Sequence, residues 1–123
     1  MIKTLIGYDI EPGVSVEEYD RWLRDVHIPD LLANPHLRRL VFNTVIRPVL
    51  RTSGGAALVG ESLTFYRIAE MHFDDLTAYE RYLAWFEEHP IPPERGPGGR
   101  TAFRFYLLAD SFEASRDSTP DRR

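Results

Sequence analysis

The chain has 123 residues, a formal charge of −4 and no cysteine. That length suits one domain able to bury a core without covalent staples, and the lack of cysteine excludes disulfides, thiolate chemistry and cysteine-ligated metals. The acidic balance argues against a nucleic-acid surface, which is usually basic. No apolar run approaches the ~20 residues of a membrane helix, and the opening stretch has no signal-peptide cleavage pattern, so a cytoplasmic protein without nucleic-acid or membrane partners is expected.

Ile2 to Ile10 reads as a strand that stops at the turn Glu11-Pro12-Gly13. Ser15 with Glu18 forms a capping box, which satisfies two orphan amides at a helix start. Val16, Tyr19, Leu23 and Val26 then recur at helical spacing and define one apolar face. Pro29 has no N–H and disfavours helical geometry at Ile28, so the regular helix is expected to end or kink there, with Leu31 and Leu32 in a short extra turn. Leu37 to Val49 reads as a second strand, Arg51 to Ser62 as a Gly/Ser/Thr-rich loop, and Leu63 to Phe73 as a third strand. Asp74 or Asp75 caps a second helix with the face Leu76, Tyr79, Leu83 and Phe86, and Pro90 stops it. Pro92 to Arg100 is an irregular connection, and Ala102 to Ala109 is a fourth strand. Residues 1–114 form the expected domain; 115–123 are too polar to bury and read as a disordered tail.

The two helices repeat one another. Tyr19-Asp20-Arg21-Trp22-Leu23 returns as Tyr79-Glu80-Arg81-Tyr82-Leu83, which also runs into a histidine, His89. A duplicated unit in the order β-α-β-β-α-β predicts an α+β, ferredoxin-like plait, and right-handed crossovers place both helices on the same sheet face. The strands nevertheless carry apolar residues at both parities, Phe65, Met71, Phe73, Phe103, Phe105 and Leu107 at one, and Ile2, Ile6, Ile68 and Leu108 at the other. A bare apolar sheet face is an aggregation hazard. Two sheets packed face to face remove it, so a homodimer sharing a barrel is expected.

Among chemically capable residues, His27 follows Leu23 by four positions and so borders the apolar face. There it can titrate near neutral pH and move a proton, or simply interact with the helix dipole. In the strands, Tyr8, Tyr66, Glu70, His72, Arg104 and Tyr106 share even parity. If the registers agree, they converge on one face, either as a polarisable ligand site with Glu70 tuning His72, or as a satisfied polar network. Trp22 and Trp85 can wall a planar substrate or fill the core. Thr52-Ser53-Gly54-Gly55 lacks the lysine of a P-loop, and Arg95-Gly96-Pro97-Gly98-Gly99-Arg100 is a turn or a lid. The histidines have no metal-binding spacing, and no dinucleotide fingerprint occurs, so no cofactor is implied.

The pattern Tyr19-x-x-Trp22-x-x-x-x-His27-x-Pro29 resembles that of the EthD-like proteins of the dimeric α+β barrel superfamily. Three longer strings are similar to its RedY/HapK-like branch: His27-Ile28-Pro29-Asp30-Leu31-Leu32-Ala33-Asn34-Pro35-His36, the run Tyr66 to Phe73, and the run Arg95 to Tyr106. Members of that branch sit in pathways to prodigiosin-type tripyrroles and related indole alkaloids. The wider superfamily includes cofactor-independent monooxygenases, polyketide cyclases and decarboxylases. The resemblance implies a cofactor-independent enzyme acting on a small planar aromatic intermediate. In that reading His27, Glu70 and His72 are the catalytic candidates, and Tyr8, Trp22, Arg104 and Tyr106 contact substrate. Cyclisation, dehydration, tautomerisation and decarboxylation need only proton transfer and orientation. A cofactorless oxygenase and a non-catalytic dimeric carrier of a reactive intermediate are the other readings.

Overall fold

The computed structural model describes residues 1–47 and 65–116. Four strands form one antiparallel sheet: β1 (Ile2–Ile10), β2 (Arg39–Thr44), β3 (Arg67–Phe73) and β4 (Thr101–Asp110), in the spatial order β2-β3-β1-β4. The expected loop from Arg51 to Ser62 lies outside the described residues, as do residues 117–123 of the expected tail. β2 begins later than the sequence pattern indicated, at Arg39, and β3 begins at Arg67. The order and the alternating directions are those of the ferredoxin-like plait.

Ser15 caps α1 (Val16–Trp22) with the full capping box, its side chain accepting from Glu18 N while the Glu18 carboxylate accepts from Ser15 N. The helix does not end at Pro29. It passes through a π-helical turn, Leu23–His27, into α2 (Ile28–Leu32), with Ile28 N–H donating to Leu23 O. Proline cannot donate to the carbonyl four residues back and its ring crowds that carbonyl. A turn holding one extra residue opens the ladder at that point, and such turns are frequent at functional sites. Asp75 caps α3 (Leu76–Glu88) through its bond from Ala78 N, and His89 closes the helix.

Both helical segments pack on one sheet face, as expected. The Tyr8 ring of β1 meets Tyr19 of α1 at 5.8 Å, and Phe73 of β3 meets Tyr82 of α3 at 4.9 Å. Buried Asn34 joins the end of α2 to α3, donating from Nδ2 to Tyr82 O at 3.0 Å. No described helix is long and apolar enough to cross a membrane.

Register decides which side chain serves which face. Ile6 pairs with Ala69 and Tyr106, and Tyr8 pairs with Arg67 and Phe103, so these residues look toward the helices. Leu5 pairs with Glu70 and Leu107, and Gly7 with Ile68 and Phe105, so these occupy the helix-free face. A register shift between Gly7 and Tyr8 reverses the parity of β4 at Arg104, which puts Phe103 and Phe105 on opposite faces. The single-parity grouping of Met71, Phe73, Phe103, Phe105 and Leu107 is thereby corrected.

Gly7 is the point of closest approach. A Cβ built there would run into the Phe105 ring. Gly7→Ala should therefore destabilise the domain by about 1–3 kcal/mol, the usual cost of overpacking. In a Phe105→Ala background the same change should cost much less, which thermal or denaturant unfolding of the four variants would measure.

Candidate functional site

Between the sheet and the π turn lies a small, largely apolar cavity of about 50 Å³. Its apolar wall includes Ile6, Leu23, Leu31, Leu40 and Met71, and its polar lining comes from Tyr8, Tyr19, His27 and Thr101. Leu23, His27 and Leu31 stand at four-residue spacing. In a regular α-helix that spacing drifts by ~40° per step. The wider π turn takes up part of the drift and helps keep His27 in line with the two leucines.

Two polar atoms at this cavity are orphaned. Tyr8 is 3 % exposed, and its hydroxyl has no hydrogen-bond partner among the described residues; His27 Nδ1 is in the same position. The other aromatic donors nearby are paired. Tyr19 Oη lies 2.8 Å from Thr101 Oγ1, and Trp22 Nε1 donates to Arg95 O at 2.9 Å. Buried polar groups are normally satisfied, and two of the four buried side-chain atoms without a partner among the described residues belong to residues of this cavity wall.

The His27 ring stacks on Trp22, 4.6 Å between centroids and 17° from parallel. Burial lowers its pKa from 6.5 to about 4, against a smaller opposing effect from the Asp30 charge and a further lowering by Arg100. At neutral pH the imidazole is uncharged and able to accept a proton. Asp30 itself is held below the usual carboxylate range by Arg95, which donates from Nε and Nη2 to the two carboxylate oxygens at 2.9 Å each. Arg100 lies over the Trp22 ring at 5.1 Å and donates to Gly96 O and Glu94 O. The Gly-rich segment thus straps down the helix that carries His27, while its Pro97 joins the cavity wall.

Behind Tyr8 stands Arg67, 6 % exposed, which donates from Nε to Thr44 Oγ1, from Nη1 to Asp20 Oδ1 and from Nη2 to Tyr66 Oη, at 3.0, 2.9 and 2.9 Å. Burial raises the Tyr8 pKa, and the Arg67 guanidinium and the Tyr19 hydroxyl offset part of that rise.

The expected convergence of even-numbered strand residues does not occur. β1 and β3 pair residues of opposite parity, so Glu70 and His72 stand beside Leu5 and Lys3 on the helix-free face while Tyr8 faces the helices. There they form a closed network. Glu70 can only accept, so His72 Nε2–H donates to its Oε1 at 2.8 Å, joined by Lys3 Nζ at 3.1 Å and by Asn43 Nδ2 on Oε2 at 3.0 Å. Burial pushes the Glu70 carboxyl up, but these hydrogen bonds outweigh it and hold the pKa low. Arg104 sits at the register shift and pairs with Asp9 at 2.7 Å, away from the cavity. Tyr66 is held by Asp20 through a 3.1 Å hydrogen bond. Tyr106 does face the helices, but it is half exposed and does not line the cavity. Trp22 supports His27 from behind rather than lining the cavity. The sequence reading missed Leu31, Pro97, Thr101 and Phe103 as wall residues, and the Arg95–Asp30 strap. The string His27-Ile28-Pro29-Asp30 was the available signal for the last.

A family model described as "EthD domain" matches residues 11–89. No curated protein matches the chain. Among solved structures, the protein At3g17210 from Arabidopsis thaliana is 16% identical, with 94% of this chain and 97% of that chain covered and a TM-score of 0.57. HapK from Hahella chejuensis is 8% identical, with 94% and 96% covered and a TM-score of 0.55. An ethyl tert-butyl ether D family protein from Bacillus halodurans is 16% identical, with 91% and 100% covered and a TM-score of 0.51. At these identities the likeness is one of fold.

Burial of His27 has a consequence for stability. Its folded pKa of about 4 lies below the ordinary 6.5, so between those values the unfolded chain binds the extra proton. The stability contribution is complete above pH 6.5 and declines as pH falls toward 4, by up to ~1.4 kcal/mol per pH unit. Subtracting the unfolding free energies of His27→Gln from those of wild type across this range should isolate that slope. Identical pH dependence in the two proteins would contradict the burial.

Proposed function

The chain belongs to the EthD domain family, and from that premise we propose that it is a cofactor-independent enzyme of specialised metabolism, working by general acid–base catalysis on a planar aromatic intermediate. The observation that carries this reading is the neutral His27 on an apolar cavity with its Nδ1 unpartnered. A desolvated imidazole whose Nδ1 has no partner among the described residues keeps a lone pair or N–H for a ligand, and bringing an anionic intermediate beside it raises its basicity. The similarity of the strings around His27, Tyr66 and Arg95 to the RedY/HapK-like branch supports a pyrrole- or indole-type substrate.

Cavity size limits how such a substrate binds. About 50 Å³ is well below the ~150 Å³ that accommodates benzene. The cavity therefore takes the reacting edge of the molecule. Phe103, which lines the cavity and is 52 % exposed, marks its mouth and offers a ring for the rest of a planar substrate. The Glu70–His72 pair on the other sheet face has a structural part in this reading, holding the helix-free face together.

That face also favours a homodimer. Leu5, Val41, Ile68, Phe105 and Leu107 stand there around the Glu70 network, with Leu107 55 % exposed. Two copies packed through this face would bury that surface. Light scattering at micromolar concentration should report a dimer, and Leu107→Glu should shift it toward monomer; a monomeric wild type would refute the assembly.

His27→Ala should lower turnover by ~10²-fold or more, the usual contribution of a positioned acid or base, with the fold retained by circular dichroism. His36→Ala, beyond α2 and away from the cavity, should leave turnover unchanged. Mass-spectrometric assay of a panel of indole and pyrrole carbonyl compounds gives the readout. Wild-type turnover in His27→Ala would remove the catalytic assignment, and tight binding without turnover in the wild type would make the protein a carrier.

A further inference from the structure

The acid–base reading uses His27 and leaves the second orphan on the cavity unexplained. Tyr8 lies on β1, one of the two inner strands; it is 3 % exposed, belongs to the cavity wall, and its buried hydroxyl has no hydrogen-bond partner among the described residues. A phenylalanine there would avoid the cost of burying an unsatisfied O–H. The tyrosine hydroxyls next to it are paired, Tyr19 with Thr101 and Tyr66 with Asp20; Thr4 Oγ1, off the cavity on the same strand, is unpaired too among the described residues. Arg67 is the second independent feature. Its three bonds, to Thr44, Asp20 and Tyr66, use only part of its five N–H groups. Its charge stands next to the Tyr8 hydroxyl, inside the protein.

We propose that Tyr8, backed by Arg67, is an oxyanion-binding group, and that the substrate is an enolisable carbonyl compound whose oxygen Tyr8 holds while His27 takes the proton from the adjacent carbon. This rests on the acid–base reading of His27 and names the substrate class for it. The step balances without a further reactant. The C–H bond breaks and its proton goes to the neutral imidazole. The bonding pair becomes the new C=C bond, and the carbonyl π pair moves onto oxygen. That oxygen receives a hydrogen bond from Tyr8. Return of the proton to the same carbon gives exchange, and its delivery to another position gives a tautomer. In an apolar cavity the developing negative charge has little solvent to stabilise it, so a fixed donor aimed at the oxygen supplies what water would. The nearby Arg67 charge makes the Tyr8 O–H a stronger donor to an anion.

Acetylacetone is a suitable probe, because its enolate absorbs in the ultraviolet and its central protons exchange measurably in heavy water. The wild-type protein should accelerate that exchange and, in mildly alkaline buffer, bind the enolate with a shifted absorption band. Tyr8→Phe should lose the shifted band and slow catalysed exchange by about 10²-fold, the scale for removal of one oxyanion donor. Its fold should be retained by circular dichroism, since the ring and its contact with Tyr19 are kept. His27→Ala should lose exchange while still binding the enolate. Retained exchange in His27→Ala together with a lost band in Tyr8→Phe would leave the oxyanion site standing and overturn only the assignment of the base. Exchange and enolate binding at wild-type levels in Tyr8→Phe would overturn the inference, as would a wild-type protein that neither binds nor exchanges the probe.

Discussion

A run of ring contacts from the sheet to the π turn organises the molecule. Tyr8 touches Tyr19, Tyr19 touches Trp22 at 5.3 Å, and Trp22 stacks on His27. Tyr8, Tyr19 and Trp22 are large and buried and His27 is partly buried; each ring touches the next, an arrangement that adds specific geometry to burial. The run fixes the height of the helix above β1. It also leaves a gap between Tyr8 and His27 that neither side chain fills. The cavity is the space the aromatic ladder props open.

Two restraints hold the ladder in place. Tyr19 Oη is tied to Thr101 at the start of β4, and Trp22 Nε1 to the carbonyl of Arg95 in the Gly-rich segment. Arg95 in turn grips Asp30 beyond the π turn. The helix is thus bound on both sides of His27 by the same stretch of chain. This gives the segment from Arg95 to Arg100 a physical role as a strap. In the proton-transfer role proposed for His27, such bracing would hold a ring nitrogen at a set position, where small displacements matter.

The division of labour between the two sheet faces follows from the same geometry. The helix face holds a cavity with unsatisfied polar atoms. The helix-free face holds Glu70 with His72, Lys3 and Asn43 in a network that leaves little bonding capacity free. A carboxylate already accepting three hydrogen bonds has little acceptor capacity left for a ligand.

Much of the architecture was readable along the chain, because its signals are local. The Ser15–Glu18 capping box, the apolar spacing of Tyr19 and Leu23, the Asp75 cap and the stop before Pro90 concern residues within one or two turns, and each appears as expected. The repeat of Tyr19–Leu23 in Tyr79–Leu83 was enough to order the elements. His27 could be singled out because its sequence neighbours place it beside an apolar helix face. Pairing between strands was not readable. The parity argument for Tyr8, Glu70, His72, Arg104 and Tyr106 needed the register, and a one-residue offset sends a whole strand's side chains to the other face. The offset between β1 and β3 separated Tyr8 from Glu70 and His72, and the shift at Arg104 separated Phe103 from Phe105. The π turn was hidden for a related reason: Pro29 announces a broken ladder, but whether the chain stops or takes in an extra residue depends on what the following turn packs against. Sequence by itself therefore determined the elements, their order and the place of His27 beside an apolar helix face. Tertiary structure alone decided which side chains share a cavity with it, because that is set by contacts between segments far apart in the chain.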